Sequence, residues 1–165
     1  MEITDSRFLQ AWKDLLAAEG SAFNPNDPGG GSRYGVTKKW HPDVDVENLS
    51  EEDAKAIYYQ EYWTDLRYRE IGFLPVASKL MNFAANMGFK RAHSLLQRAL
   101  NFTYADSPAE VLEVDGILGG MTIEAINHHP NGWWLLDRFK LLALGYYHFL
   151  NRSADLPSWV RRVLL

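Results

Sequence analysis

Apolar positions along this chain recur mostly at helical spacing. Between Asp5 and Glu19 one face carries Phe8, Trp12, Leu15 and Leu16, with Asp5 or Ser6 available as N-cap and Gly20 as the stop. Glu19 lies eleven residues after Phe8, and eleven steps of about 100° return it to within roughly 20° of the same face. Its carboxylate therefore points with the apolar stripe. Ser50-Glu51-Glu52-Asp53 has capping-box spacing ahead of Ala54, Ile57, Tyr58 and Tyr62. Pro75 opens a further helix, carried by Val76, Leu80, Phe83, Ala84 and Met87 and stopped at Gly88. Ala92, Leu95, Leu96 and Ala99 begin another stripe at once, so two helices must meet at a corner. A short helix is predicted from Thr122 to His128. The longest runs from about Asn131 to Leu150, about 30 Å, and is expected to be the spine of the core. Pro157 and Ser158 start a last one bearing Trp159 and Val163. Pro42 to Asn48 and Thr103 to Gly120 read as loops.

One stretch breaks the helical rhythm. Ser21 to Gly31 is dense in turn residues, and Asp27-Pro28-Gly29-Gly30 fits a turn with Pro preset at the second position and Gly free to take positive φ. Ser32 to Thr37 can follow as extended chain that pairs as a hairpin. The pattern therefore predicts a mainly α fold with a small β-hairpin near the N-terminus. With 165 residues and neither repeat nor linker, residues 1–165 are expected to form one compact unit.

Composition narrows the partners. Apolar residues at 47% and charged residues at 23% suit a soluble globular domain. A formal charge of −4 argues against nucleic-acid binding led by phosphates. The lack of cysteine removes disulfides, a thiol nucleophile and thiolate metal sites. Met1 to Ala17 has no uninterrupted apolar core and does not read as a signal peptide. Trp133 to Leu150 is interrupted by Asp137, Arg138 and Lys140, so no transmembrane segment is expected. The expectation is a monomer made in the cytoplasm, which would need a holin or another export route to act outside.

Glu19 is the most informative candidate. Burial against an apolar face and the negative end of a helix dipole both favour the protonated carboxyl that a general acid needs. A solvated glutamate on a frayed last turn is the competing reading. Asp27 and Ser32 come next. Glycoside hydrolysis pairs one protonated carboxyl with a second, ionised one, and Glu19 and Asp27 have the residue types for that pair. Asp27 is equally a turn residue that caps its own backbone. His128 and His129 are adjacent and diverge by about 100° on a helix. Asn24, Asn26 and Pro28 fail as a calcium loop because the third ligand position is Pro. No metal and no cofactor are expected. Among the aromatics, Trp40 and Trp63 lie outside the clear stripes and are candidates to stack on sugar rings in a groove.

Glu19-Gly20, Asn24, Asp27-Pro28-Gly29-Gly30, Ser32 and Tyr34-Gly35-Val36-Thr37 resemble the opening signature of glycoside hydrolase family 108, lysozyme-like proteins also labelled secretion activators. Tyr59, Tyr62-Trp63, Ala77, Asn86 with Gly88, and the run Leu96 to Leu100 fall where that family has similar residues. Asp115 to Gly119 with Thr122, Tyr146-Tyr147, and Trp159 with Arg162-Val163 resemble the peptidoglycan-binding segment usually attached to it. The resemblance implies a lysozyme-like helical fold, with a catalytic segment over 4–98 and a peptidoglycan-binding-like helical segment over 99–165 that completes the core. It implies cleavage of the β-1,4 bond between N-acetylmuramic acid and N-acetylglucosamine, with Glu19 as general acid. Asp27 would be the supporting carboxylate and Ser32 would position water, while Tyr34, Thr37, Trp63 and Asn86 would contact substrate.

Several positions depart from the family's pattern. Ser21 and Ala22 replace Gly-Tyr, Ser32 stands for Thr, and Asn82 falls where the family often has Asp. A lytic transglycosylase and a non-catalytic wall-binding or secretion-assisting protein are the rival readings. The acidic net charge sits poorly with an anionic wall polymer, so binding is expected to rest on local contacts such as Arg152, Arg161 and Arg162, or on sugar recognition.

Overall fold

The computed structural model describes residues 3–103, 111–150, 152 and 155–165. The mainly α fold with one small hairpin near the N-terminus is the observed architecture. Residues 104–110 of the predicted loop between Thr103 and Gly120 lie outside the described residues. Helix α1 (Ser6–Glu19) leads into the hairpin of β1 (Ser32–Arg33) and β2 (Val36–Thr37). Helix α2 (Glu51–Tyr58) passes directly into a π-helix (Tyr59–Asp65) and then a 3₁₀ turn (Tyr68–Glu70). Helices α3 (Leu74–Met87), α4 (Phe89–Thr103), α5 (Gly120–Asn127), α6 (Gly132–Phe149) and α7 (Leu156–Leu164) complete the described chain. None of the described helices is long and apolar enough to cross a membrane.

The helix boundaries follow local chemistry. Asp5 caps α1 through Oδ1, which accepts the amides of Arg7 at 3.0 Å and Phe8 at 3.1 Å. Its Oδ2 accepts the indole N–H of Trp63 at 2.8 Å, which ties the cap to the π-helix. Ser50 caps α2 by accepting the amide of Asp53 at 3.1 Å, as the capping-box spacing predicts. The change from α2 to a π-helix is not visible in the apolar spacing, because Tyr58 and Tyr62 satisfy either helix.

The spine of the core is α3, not the longer α6. Every residue from Val76 to Ala84 is buried, the pattern of a helix enclosed on all sides. Helices α1, α4 and α6 pack around it. Helix α6 contributes one buried face, Leu135, Leu136, Phe139, Ala143 and Tyr147, while Trp133, Leu141 and Phe149 remain exposed. Phe83 of α3 meets Phe139 and Tyr147 of α6 edge-on. The tight α3–α4 corner turns on Gly88, whose φ of 84° lies in the region that favours glycine.

Candidate active site

The turn-rich stretch after α1 is held by its own backbone. Gly20 ends α1 by donating its amide to Leu16 at 2.9 Å. Asn24 and Ser32 exchange backbone hydrogen bonds at 2.8 and 3.0 Å, which draws the two ends of the loop together. Gly30 donates to the carbonyl of Asp27 at 2.9 Å, closing the predicted turn, and Asp27 Oδ1 accepts the amide of Gly29 at 2.7 Å. The hairpin then reverses on Tyr34 and Gly35, with φ of 54° and 78°, the two positive values that a two-residue type I′ turn requires. Gly35 has a second reason to be glycine: a Cβ there would stand 2.5 Å from Tyr58 Oη and 3.5 Å from the Glu19 side chain. The hairpin tip thus lies directly against the candidate acid.

Glu19, Asp27, Ser32, Tyr34, Thr37 and Asn86 all line a single groove of about 1180 Å³. Residues scattered from α1 to the end of α3 are therefore brought together on one groove. Thr37 Oγ1 is buried with no hydrogen-bond partner among the described residues, the mark of a position that a bound water or a ligand completes. Asn86 accepts the hydroxyl of Tyr147 on α6 at 2.8 Å, so this part of the groove wall depends on the second half of the chain.

Trp63 is the exception. It is 0% exposed, packs edge-on against Phe8 and spends its indole N–H on Asp5, so it is a core residue and not a substrate contact. Its neighbour Tyr62 lines the groove instead, stacked on Tyr58 with ring centres 4.9 Å apart. Burial pushes the Tyr62 hydroxyl up to about 12, and the charges of Glu61 and Glu19 add to the rise, so it remains a neutral donor. Trp40, the other aromatic outside the stripes, does line the groove.

Arg162 is the residue that sequence reasoning placed wrongly. It is 5% exposed, so it is not available to an anionic wall polymer. Its Nη1 stands 2.9 Å from Glu19 Oε1 and donates to Asn82 Oδ1 at 2.8 Å. Asn82, where the family's pattern often has Asp, is thus a neutral acceptor for the same guanidinium. The arrangement leaves Glu19 as the ionic partner at this site, at an atom separation typical of a charge-assisted hydrogen bond. A sequence signal existed: Arg162 follows Trp159 at a spacing of three and precedes Val163, which sets it on the buried face of α7.

Across the groove the π-helix contributes Glu61. Burial pushes its carboxyl up from the ordinary range; His41 pulls the other way and Asp65 adds to the rise. His41 Nδ1 lies 3.5 Å from Glu61 Oε1.

Glu19 at a helix end and Asp27 in a hydrogen-bonded turn thus face one groove on a mainly helical scaffold. Residues 12–88 match the family model described as glycosyl hydrolase 108, the family that the Glu19–Thr37 motif resembles. The matched residues take in Glu19 to Asn86; the C-terminal helices, with Arg162, lie beyond them. The fold is also that of Brucella abortus SagA, with a TM-score of 0.69 at 20% identity over 95% of this chain and 93% of that one. No curated protein sequence matches the chain.

Proposed function

We propose that this protein is an N-acetylmuramidase that hydrolyses the β-1,4 bond between N-acetylmuramic acid and N-acetylglucosamine in peptidoglycan. The observation that carries the reading is the convergence of Glu19, Asp27 and Ser32 on one groove within a segment matching a glycosyl hydrolase family. In its protonated form Glu19 donates to the glycosidic oxygen as the bond breaks. Arg162, 2.9 Å away, orients the carboxyl and stabilises the carboxylate that proton donation leaves behind. Asp27 has one oxygen held by Gly29 and a second with which to orient water or to support the oxocarbenium-like transition state. Ser32 positions that water. Like a lysozyme, the protein works as a monomer on the cell wall, after a holin or another export route has released it.

Glu19→Gln tests the assignment: clearing of purified peptidoglycan is expected to vanish while the helical circular dichroism persists, and lytic activity in that variant would sink it. Mass spectrometry of the wild-type products separates the rivals. Hydrolysis adds water, a lytic transglycosylase leaves a 1,6-anhydro end, and a wall-binding protein sediments with peptidoglycan and makes no new ends.

A further inference from the structure

The groove is larger than the candidate catalytic residues need. Its volume of about 1180 Å³ exceeds the roughly 300–1,000 Å³ of a site for one small ligand. Sugars beyond the two that flank the cleaved bond have room there. Trp40, His41 and Glu61 line this groove and have no part in the chemistry assigned to Glu19.

Trp40 is 74% exposed, yet its backbone is fixed. The amides of Trp40 and His41 both donate to the carbonyl of Thr37, at 3.2 and 3.0 Å, and that of Lys39 donates to Gly29 at 2.8 Å. The indole is therefore mounted on a turn anchored to the end of β2 and to the glycine-rich loop. Lys39 Nζ lies 5.3 Å from the ring centre and covers one face, which leaves the other for a ligand.

Glu61 lines the groove from a π-helical stretch. Leu66 donates its amide to the carbonyl of Glu61 at 3.0 Å, the wide i to i+5 bond, and such segments recur at functional sites. Glu61 and His41 meet at 3.5 Å across the groove's edge. An ionised carboxylate only accepts hydrogen bonds, whereas an imidazole also donates, so the pair matches hydroxyl groups that do both.

We propose that Trp40, His41 and Glu61 form a sugar subsite apart from the catalytic residues, where a hexosamine ring stacks on the free face of Trp40, donates a hydroxyl or acetamido N–H to Glu61 and accepts a hydrogen bond from His41 on a hydroxyl oxygen. The proposal rests on reading the groove as a glycan site. Calorimetric titration with soluble N-acetylglucosamine oligosaccharides and with peptide-free peptidoglycan strands tests it. Trp40→Ala and Glu61→Gln are each expected to weaken binding about tenfold with thermal unfolding unchanged, and Trp40→Phe to retain most of it. If wild type binds and both variants bind equally well, the subsite is wrong and the glycan reading stands. If wild type binds neither glycan, the subsite and the glycan reading fall together.

Discussion

The segment from Glu19 to His41 and the C-terminal helix α7 both reach the candidate acid, by opposite means. The first is held by near-neighbour bonds: Asp27 to Gly29, Asn24 to Ser32, Thr37 to Trp40. It presents several side chains to the groove. The second is an ordinary amphipathic helix that delivers one buried guanidinium from the far end of the chain. Local turn chemistry shapes the groove, and long-range packing supplies the charge beside Glu19. A single substitution can remove the guanidinium and leave the local turn bonds in place, and another can alter the hairpin and leave Arg162 in place.

The largest effect is expected from removing the second contribution whole. A chain truncated after Asn101 loses α6 and α7, which exposes Phe83 and the other faces of α3 and α4 that they cover. Such a fragment should show no cooperative thermal transition by circular dichroism. A folded, soluble fragment would mean that residues 4–98 stand as a unit of their own.

Arg162→Met removes only the guanidinium. Breaking a buried pair at one partner costs about 3–5 kcal/mol, so a midpoint lower by roughly 10 °C is expected by calorimetry, with peptidoglycan cleavage lost well below the new midpoint. Arg162→Lys keeps a cation without the fork geometry and should recover part of the stability. A midpoint unmoved by Arg162→Met would show that α7 contributes surface and no charge.

Gly35→Ala strikes the local side of the comparison. Positive φ and the approach to Tyr58 together predict a loss of about 1–3 kcal/mol, read as a lower denaturant midpoint at unchanged m-value. Cleavage should fall further than stability does, because the displaced hairpin tip rests on Glu19.

The smallest effect concerns Asp5. Burial acts to raise its carboxyl, but hydrogen bonds from Trp63, Phe8 and Arg7 and the Arg7 charge outweigh it and hold the group below its ordinary 3.8. A folded-state value below the unfolded one means stability that is present above pH 3.8 and lost as pH falls through the lowered value. Asp5→Ala should cost about 1 kcal/mol near neutrality, and its unfolding curve should converge on that of wild type in acid.

The helices were legible because their boundaries are local events. Asp5, Ser50, Pro75 and Gly88 stop or start chain whatever the rest of the protein does. The Asp27 turn and the hairpin were legible for the same reason, since Pro28 and the glycines restrict backbone within a few residues. Trp63 was misplaced because falling outside an α-helical stripe resembles exposure, when a π-helix had moved it to the interior. The longest helix was taken for the spine because length is visible in sequence, whereas enclosure on all sides depends on which helices pack against α3.

The sequence by itself determined where most helices begin, the stops at Gly20 and Gly88, and the turn after Glu19, since each is set by residues that restrict or cap their own backbone. Tertiary structure alone decided that the carboxylate has an ionic partner, that Asn82 shares it, and that Trp40 and Glu61 border the same groove. Charges and cavities arise between elements distant in the chain, and periodicity within one element carries no information about what lies across from it.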